Sequence, residues 1–439
     1  MPHVLLLATT TGYQTRAFDV AADRLGVDLV FATDRCDVLD DPWRDRALPI
    51  RFFDEAGSVA TILEAHRSRR IDGVLAVGDR PTVIAAQVCR ELGLPGHPPD
   101  GASAARNKLR TRDCLRAAGL PTPWYRAFSL DDPSASGPGP PWFPAVVKPV
   151  ALSGSRGVMR VDDEEGLAAA VQRLRSLIHT TELRAERDEA HSMAIVEGFI
   201  PGREFAVEGL MSHGTVQVLA IFDKPDPLDG PFFEETIYVT PSTAPSLVQD
   251  AIADAVTQAA SALGLRHGPF HAECRVGGAA GSSTWAESGP RPAVYVLEVA
   301  ARPIGGLCAR ALRFHDRDSG DLISLEELLL RHALGESPRR WARERAAAGV
   351  MMIPIPRRGV FRGLIGLEDA HRVPGVDEVR VTAKPDQVLV PLPESASYLG
   401  FIFAHGQRPI DVERALRAAH ARLEFRIEPE VRVVQSAHA

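Results

Sequence analysis

Over the first 105 residues, short apolar runs alternate with stretches where apolar positions recur every three or four residues. HVLLLAT, VDLVFAT and GVLAVGD read as strands. A segment over Arg16–Leu25, VATILEAHRSR and PTVIAAQVCRELG read as helices. Continuous β-branched or Leu runs separated by helical spacing predict a parallel sheet covered on both faces. From residue 106 the pattern changes. RNKLRTRDCLRAAGL (106–120) has helical spacing ended by Gly119, PTPWYRAF is strand-like, and Asp131–Pro141 is a Pro/Ser/Gly-rich solvated loop. FPAVVKPV and VMRV are strands around the turn ALSGSRG, followed by an amphipathic helix from Asp163 to about Ile178 and a charged span, Glu182–His191. Ser192–Glu208, SMAIVEGFIPGREFAVE, predicts two strands closed by a tight Phe-Ile-Pro-Gly-Arg connection, a hairpin. Beyond it come the strand VQVLAIFDK, a Pro-rich loop, the helix LVQDAIADAVTQAASALGL, the strands GPFHAECRV and AVYVLEVAAR, and the helical SLEELLLRHALG.

The expected organisation is mixed α/β and α+β. It has a Rossmann-like parallel domain (1–105), a linker helix with a small α+β lid module (106–195), a central antiparallel-sheet domain (196–345) and a separate C-terminal α+β domain (346–439). The 439 residues suffice for several domains with substantial cores. A net charge of −7 leaves no basic field for nucleic acid or an acidic membrane. No apolar stretch approaches the roughly 18 residues of a membrane span, and the N-terminus has no basic leader. Five scattered cysteines without a CxxC fit a reducing cytoplasm and offer neither a disulfide nor a metal framework.

Lys148 ends the apolar strand AVVKP, and Ser153, Gly154, Ser155 and Gly157 follow at once. Glycines let backbone N–H groups approach an anion, the serines add donors, and the lysine supplies charge. The plainer alternative is a Gly-Ser turn with an incidental lysine. Thr9–Gly12 follows the first strand, where open α/β sheets bind ligands, although no GxGxxG is present and a structural turn serves equally well. Glu273 and Glu298 fall on successive strands; facing carboxylates repel unless a cation or proton lies between them, and Mg²⁺ takes such oxygens. Arg302 offers a planar fork for phosphate or carboxylate. Singly, each of these residues reads equally well as part of a solvated face. Their order along the chain, with Lys108 before them and Glu197 and Glu204 between, suits the holding of Mg-ATP.

On these residues the sequence resembles the ATP-grasp superfamily over essentially its whole length. NKLRTRDCLRAAGLPTP is similar to the family's N/DKxxxRxxLxxxGLPxP segment and implies that Lys108 contacts phosphate. FPAVVKPVALSGSRGV resembles the lysine strand and glycine-rich loop over the phosphates. VEGFIPGREFAVEG resembles the adenine hinge, which implies that the backbone of Glu197, Gly198, Phe199 and Ile200 meets adenine and that Glu204 takes the ribose hydroxyls. HAECRV and LEVAARPIGG resemble the metal-bearing strands, with Glu273 and Glu298 as ligands of Mg²⁺ (or Mn²⁺). The family's usual Asn is replaced by Ala300, and the two glutamates stand unusually far apart, across the loop Gly277–Pro292, in which Glu287 is expected to be a surface residue.

The ending GFIFAHGQRPIDVERALRAAHARL and the LEVAARPIGGLCARAL segment are similar to L-amino-acid ligases. That implies ATP-dependent joining of a small-molecule carboxylate to an amine through an acyl phosphate. Arg302, His271 (on its own more often a structural residue) and Lys224 are then expected in catalysis, the last beside a loop, Pro225–Ser242, that caps the site. A homodimer is open, since many relatives dimerise. The competing readings are a biotin carboxylase-like or formate-dependent enzyme, and an inactive nucleotide-binding regulator.

Overall fold

The computed structural model describes residues 1–9, 13–34, 47–132, 141–277, 292–395 and 397–430. Residues 10–12 of the first loop, Cys36, most of the linker, and Glu287 with nearly all of its loop lie outside the described residues.

The N-terminal part is a four-stranded parallel sheet in the order Leu48–Ile50, Asp28–Asp34, His3–Ala8, Gly73–Val77. Its central strand shows why an unbroken apolar run was required. Val4, Leu6 and Ala8 enter one core while Leu5 and Leu7 enter another, so both faces are buried. The expected linker helix starts two residues later than its pattern predicted. Asn107 accepts a hydrogen bond from the Arg110 N–H and caps the helix Lys108–Ala117, behind a separate helix, Pro99–Arg106.

A second antiparallel sheet has the order Tyr125–Ser129, Met193–Gly198, Ala145–Pro149, Met159–Val161. The helix Glu164–Ile178, capped by Asp163, packs on it through Leu167, Val171 and Leu174.

The hairpin expected in Ser192–Glu208 is not formed. Met193–Gly198 belongs to this second sheet, whereas Arg203–Ser212 lies inside a different, eight-stranded sheet. Both strands are buried almost throughout, and an apolar run does not name a strand's partner, which is why the sequence pattern misled here. Gly202, at φ 120°, carries the chain between the sheets; a Cβ there would lie 2.2 Å from the Val276 carbonyl oxygen.

The eight-stranded sheet is antiparallel throughout, in the order Ala293–Ala300, Gly268–Gly277, Arg203–Ser212, Thr215–Asp223, Ile237–Thr240, Ala347–Ile353, Gly400–Gly406, Val376–Val381. It runs without interruption past residue 346, where the sequence pattern suggested a boundary. The expected capping loop Pro225–Ser242 also needs correction, because Ile237–Thr240 is a buried strand of this sheet. The helix Ser246–Ala262 covers one face, and Pro409–His420 packs further along.

Candidate functional site

Three of these bodies border one cleft of about 1040 Å³. Lys108, Lys148, Ser153, Gly154, Ser155, Glu197, Gly198, Phe199, Ile200, Glu204, His271, Glu273, Glu298 and Arg302 all line it. Lys224 and Gly157 do not. Lys224 is buried, and its Nζ donates to Glu204 (2.7 Å), Glu235 (2.7 Å) and Glu273 (2.8 Å). The expectation of a catalytic lysine is therefore revised. Lys224 balances the charge of three carboxylates that would otherwise repel one another. Burial alone would lower its pKa, but those carboxylates raise it well above normal.

Lys108 opens its helix and is buried. Its Nζ donates to the Leu152 carbonyl (2.5 Å) and lies 3.3 Å from Glu298. Its backbone N–H donates to Val150 O, so one residue grips both ends of the segment that enters the Gly/Ser loop. In that loop Gly154, Ser155 and Gly157 have φ of 64°, 56° and 73°. At Gly157 a Cβ would lie 2.8 Å from Leu174 Cδ2 and 3.1 Å from Pro149 Cδ, so the tight turn has no space for a side chain. The loop is pinned from the C-terminal side: Gly157 N–H donates to Pro393 O and Arg156 Nε to Glu394 O.

Lys148 Nζ sits 2.6 Å from Glu197 Oε1. Glu197 is also gripped by Arg112, which donates through Nε to Oε2 (2.7 Å) and through Nη2 to Oε1 (3.1 Å). Burial pushes Glu197 up, but Arg112 and then Lys148 hold it down to about 2. Burial pushes Lys148 down to about 8 despite Glu197. Beyond Glu197, the Phe199 N–H donates to Pro144 O, and Ile200 O accepts from Arg275. Phe199 and Phe233 stack at 6.4 Å, with Arg275 over both rings and Arg160 over Phe199, making a flat aromatic and cationic wall. Glu204 accepts from Arg275 Nε (2.9 Å) as well as from Lys224.

Glu273 and Glu298 stand opposite each other in register on adjacent antiparallel strands, as their spacing suggested. Their carboxylates nevertheless part company: Glu298 meets Lys108, while Glu273 joins Glu204 and Glu235. Burial and the neighbouring Glu273 raise Glu235 to about 8, whereas Lys224 keeps Glu273 low. Ala300 faces His271 across the strand pair. His271 Nδ1 hydrogen-bonds Glu208 (3.2 Å), its Nε2 is 4.0 Å from Glu273, and burial lowers it to about 3, leaving it neutral at neutral pH. Arg302 is held by Asp79.

Three family models match this chain: ATP-grasp domain over residues 142–310, ATP-grasp N-terminal domain over 18–96, and L-amino acid ligase C-terminal domain 2 over 351–428. An L-amino acid ligase from Bacillus licheniformis superposes with a TM-score of 0.78 at 28% identity, covering 98% of this chain and 99% of that one. The chain belongs to the ATP-grasp superfamily. Carnosine synthase 1 of Gallus gallus is 31% identical over 70% of the chain and 33% of its own length. Alanine–anticapsin ligase of Bacillus subtilis (strain 168) is 26% identical over 44% of the chain and 42% of its own length. The chain thus spans less than half the length of these two relatives. With such neighbours it stands among the ADP-forming, C–N bond-forming ATP-grasp ligases.

The residues present fit the nucleotide and metal of an ATP-grasp site. Ser153, Gly154 and Ser155 line the cleft together with Lys108 and Lys148, and hard carboxylate oxygens of Glu204, Glu235 and Glu273 lie within 4.8 Å of one another. Sequence reasoning missed Asp79, Arg112, Glu208, Glu235 and Arg275. Arg112 lay inside the quoted N/DKxxxR segment, and Glu235 in FFEET was the acid of a loop treated only as a cap. Glu208 and Arg275 likewise lay inside VEGFIPGREFAVEG and HAECRV, whereas Asp79, closing GVLAVGD, carried no signal beyond an acid after a strand.

Proposed function

We propose that this ATP-grasp protein joins an amino acid or related carboxylate to an amine, forming a dipeptide or amide and releasing ADP and phosphate. The observation that carries this reading is one cleft holding a lysine-flanked Gly/Ser loop at one side and the Glu273/Glu298 pair with Arg302 at the other. In the proposed reaction a substrate carboxylate oxygen takes the γ-phosphoryl group, giving an acyl phosphate. The amine nitrogen then attacks the carbonyl carbon, the C–O bond to phosphate breaks, and the nitrogen loses a proton.

Lys108 and Lys148 with the backbone of Ser153, Gly154 and Ser155 hold the phosphates, as phosphoryl transfer requires positioning and charge neutralisation. The hinge from Glu197 to Ile200 and the Phe199–Phe233 wall take adenine, and Glu204 faces the ribose. Glu273 and Glu298 would hold Mg²⁺ or Mn²⁺, and Glu235 would supply a carboxylate, since Ala300 offers none. A bound divalent ion would neutralise phosphate charge. Arg302 faces the developing negative charge at the reacting carbonyl, and neutral His271 hydrogen-bonds the substrate beside Glu273.

Among the described residues no helix is long and apolar enough to cross a membrane, and Cys89, Cys114, Cys274 and Cys308 are free, which supports a reducing, cytoplasmic setting.

The test is incubation with Mg-ATP and pools of amino acids while following ADP and AMP. Amino-acid-dependent ADP and phosphate release supports the ligase. AMP with pyrophosphate would sink the acyl-phosphate route. Glu298→Ala is expected to abolish turnover.

A further inference from the structure

Arg112 is the largest fully buried side chain among the described residues, and the nucleotide-site reading gives it no task. It lies one helical turn beyond Lys108, on the same face of Lys108–Ala117. Its fork reaches two other bodies. Nε and Nη2 clasp both oxygens of Glu197 on the second sheet, while Nη1 donates to the Val296 carbonyl (3.1 Å) on the eight-stranded sheet. One planar group therefore ties linker helix, lid sheet and catalytic sheet together, a geometry that a lysine's single ammonium cannot reproduce.

The second cation on Glu197 is Lys148, at 2.6 Å. In this arrangement Lys148 is spent on a carboxylate and must leave it to reach a phosphate. A buried carboxylate whose partner departs is strongly destabilising. With Arg112 in place, the Glu197 charge stays compensated after Lys148 moves. The guanidinium also repels the neighbouring ammonium, so the Lys148–Glu197 bond is held less tightly than the same pair alone.

We propose that Arg112 is a positioning residue that keeps Glu197 paired while Lys148 leaves it for the nucleotide phosphates. This rests on the phosphate role given to Lys148 above.

The test measures calorimetric binding of a non-hydrolysable ATP analogue with Mg²⁺ from pH 6.5 to 9.5, beside thermal unfolding, for the whole chain and its variants. The groups facing Lys148 are Glu197, Arg112 and Lys108, and in the native chain the ammonium is lost near pH 8, so analogue affinity falls above that value. R112M is expected to weaken analogue binding by about tenfold or more, or ~1.4 kcal/mol, and to move the alkaline fall to higher pH, because a repelling charge has gone. R112K should recover part of the affinity, and R112M/E197Q should bind better than R112M.

A lower unfolding temperature with unchanged affinity and an unmoved alkaline fall would assign Arg112 a merely structural role and overturn the proposal. Should R112M not fold, R112M/E197Q against E197Q gives the same answer: a large further loss of affinity once Glu197 is neutral overturns it, and little further loss supports it. K148A separates the two readings. If K148A leaves analogue affinity intact, the phosphate assignment fails and takes this proposal with it. If K148A weakens binding while R112M does not, only the Arg112 role falls.

Discussion

Asp79 and Arg302 meet in a two-bonded ion pair, Nε to Oδ1 at 2.8 Å and Nη2 to Oδ2 at 3.0 Å. Asp79 follows a strand of the parallel sheet and Arg302 follows a strand of the eight-stranded sheet, so the N-terminal part reaches the Arg302 side of the cleft through one carboxylate. Arg302 lowers Asp79 against the effect of burial. Removing one partner of a buried pair costs about 3–5 kcal/mol. Asp79→Ala is therefore expected to lower the unfolding temperature and to reduce kcat at least tenfold, with a smaller change in the KM for ATP. Steady-state ADP release beside calorimetric unfolding checks this. A normal kcat would show that Arg302 needs no such support.

Lys224→Met removes the cation that Glu204, Glu235 and Glu273 share, leaving Arg275 on Glu204 alone. Without divalent ions the variant should be markedly less stable than the native chain, again by about 3–5 kcal/mol. Mn²⁺ or Mg²⁺ should restore more stability to the variant than they add to the native protein, because three carboxylates with oxygens within 4.8 Å then compete for the ion. Unfolding scans across metal concentration decide it; equal gains in both proteins would count against metal binding by this trio.

A histidine stack sits away from the cleft. His267 and His332 lie face to face at 4.1 Å, His213 is 4.8 Å from His267, and His97 is fixed by Pro269 O and the Arg266 N–H. Burial, with neighbouring imidazoles, lowers His97 and His267 to about 4 and His332 to about 3. Unfolded, each returns to about 6.5. The unfolded chain then binds protons the native chain refuses, so this contribution is present above pH 6.5 and lost as pH falls towards 4. His267→Phe keeps a ring in the stack without a titrating nitrogen, so its unfolding temperature should fall less between pH 7 and 5. An identical fall would place the acid sensitivity elsewhere.

Gly157→Ala puts a methyl where Leu174 and Pro149 already stand, at a φ that L-residues resist. We expect a loss of about 1–3 kcal/mol confined to the second sheet, with weaker ATP-analogue binding and little change in amino-acid binding. Calorimetric titration of each ligand checks the difference.

Much of this was legible in the sequence. Apolar runs marked His3–Ala8, Ala145–Pro149 and Gly268–Gly277, and helical spacing marked Glu164–Ile178 and Ser246–Ala262, because local burial decides both patterns. Of the site residues singled out between Lys108 and Arg302, all but Gly157 and Lys224 line one cleft. Partners were not legible. Arg112 lies 85 residues from Glu197, and Asp79 lies 223 from Arg302; a charged residue's own position does not encode which distant carboxylate will share its burial. For the same reason the strand before Pro201 and the strand after Gly202 read as a hairpin, although they pair in different sheets.

The unbroken eight-stranded sheet bears on recombination between relatives. The family's C-terminal unit begins at residue 351, inside the strand Ala347–Ile353, whose neighbour Ile237–Thr240 belongs to the preceding half. A chimera spliced at that residue would divide one strand between two parents and mismatch its ladder on either flank. A crossover placed ahead of Ala347 would transfer the strand whole, yet the incoming parent would still have to match Ile237, Tyr238 and Val239 side by side. Grafted variants of this enzyme are therefore expected to express as folded protein only when both borders of that seam come from the same parent.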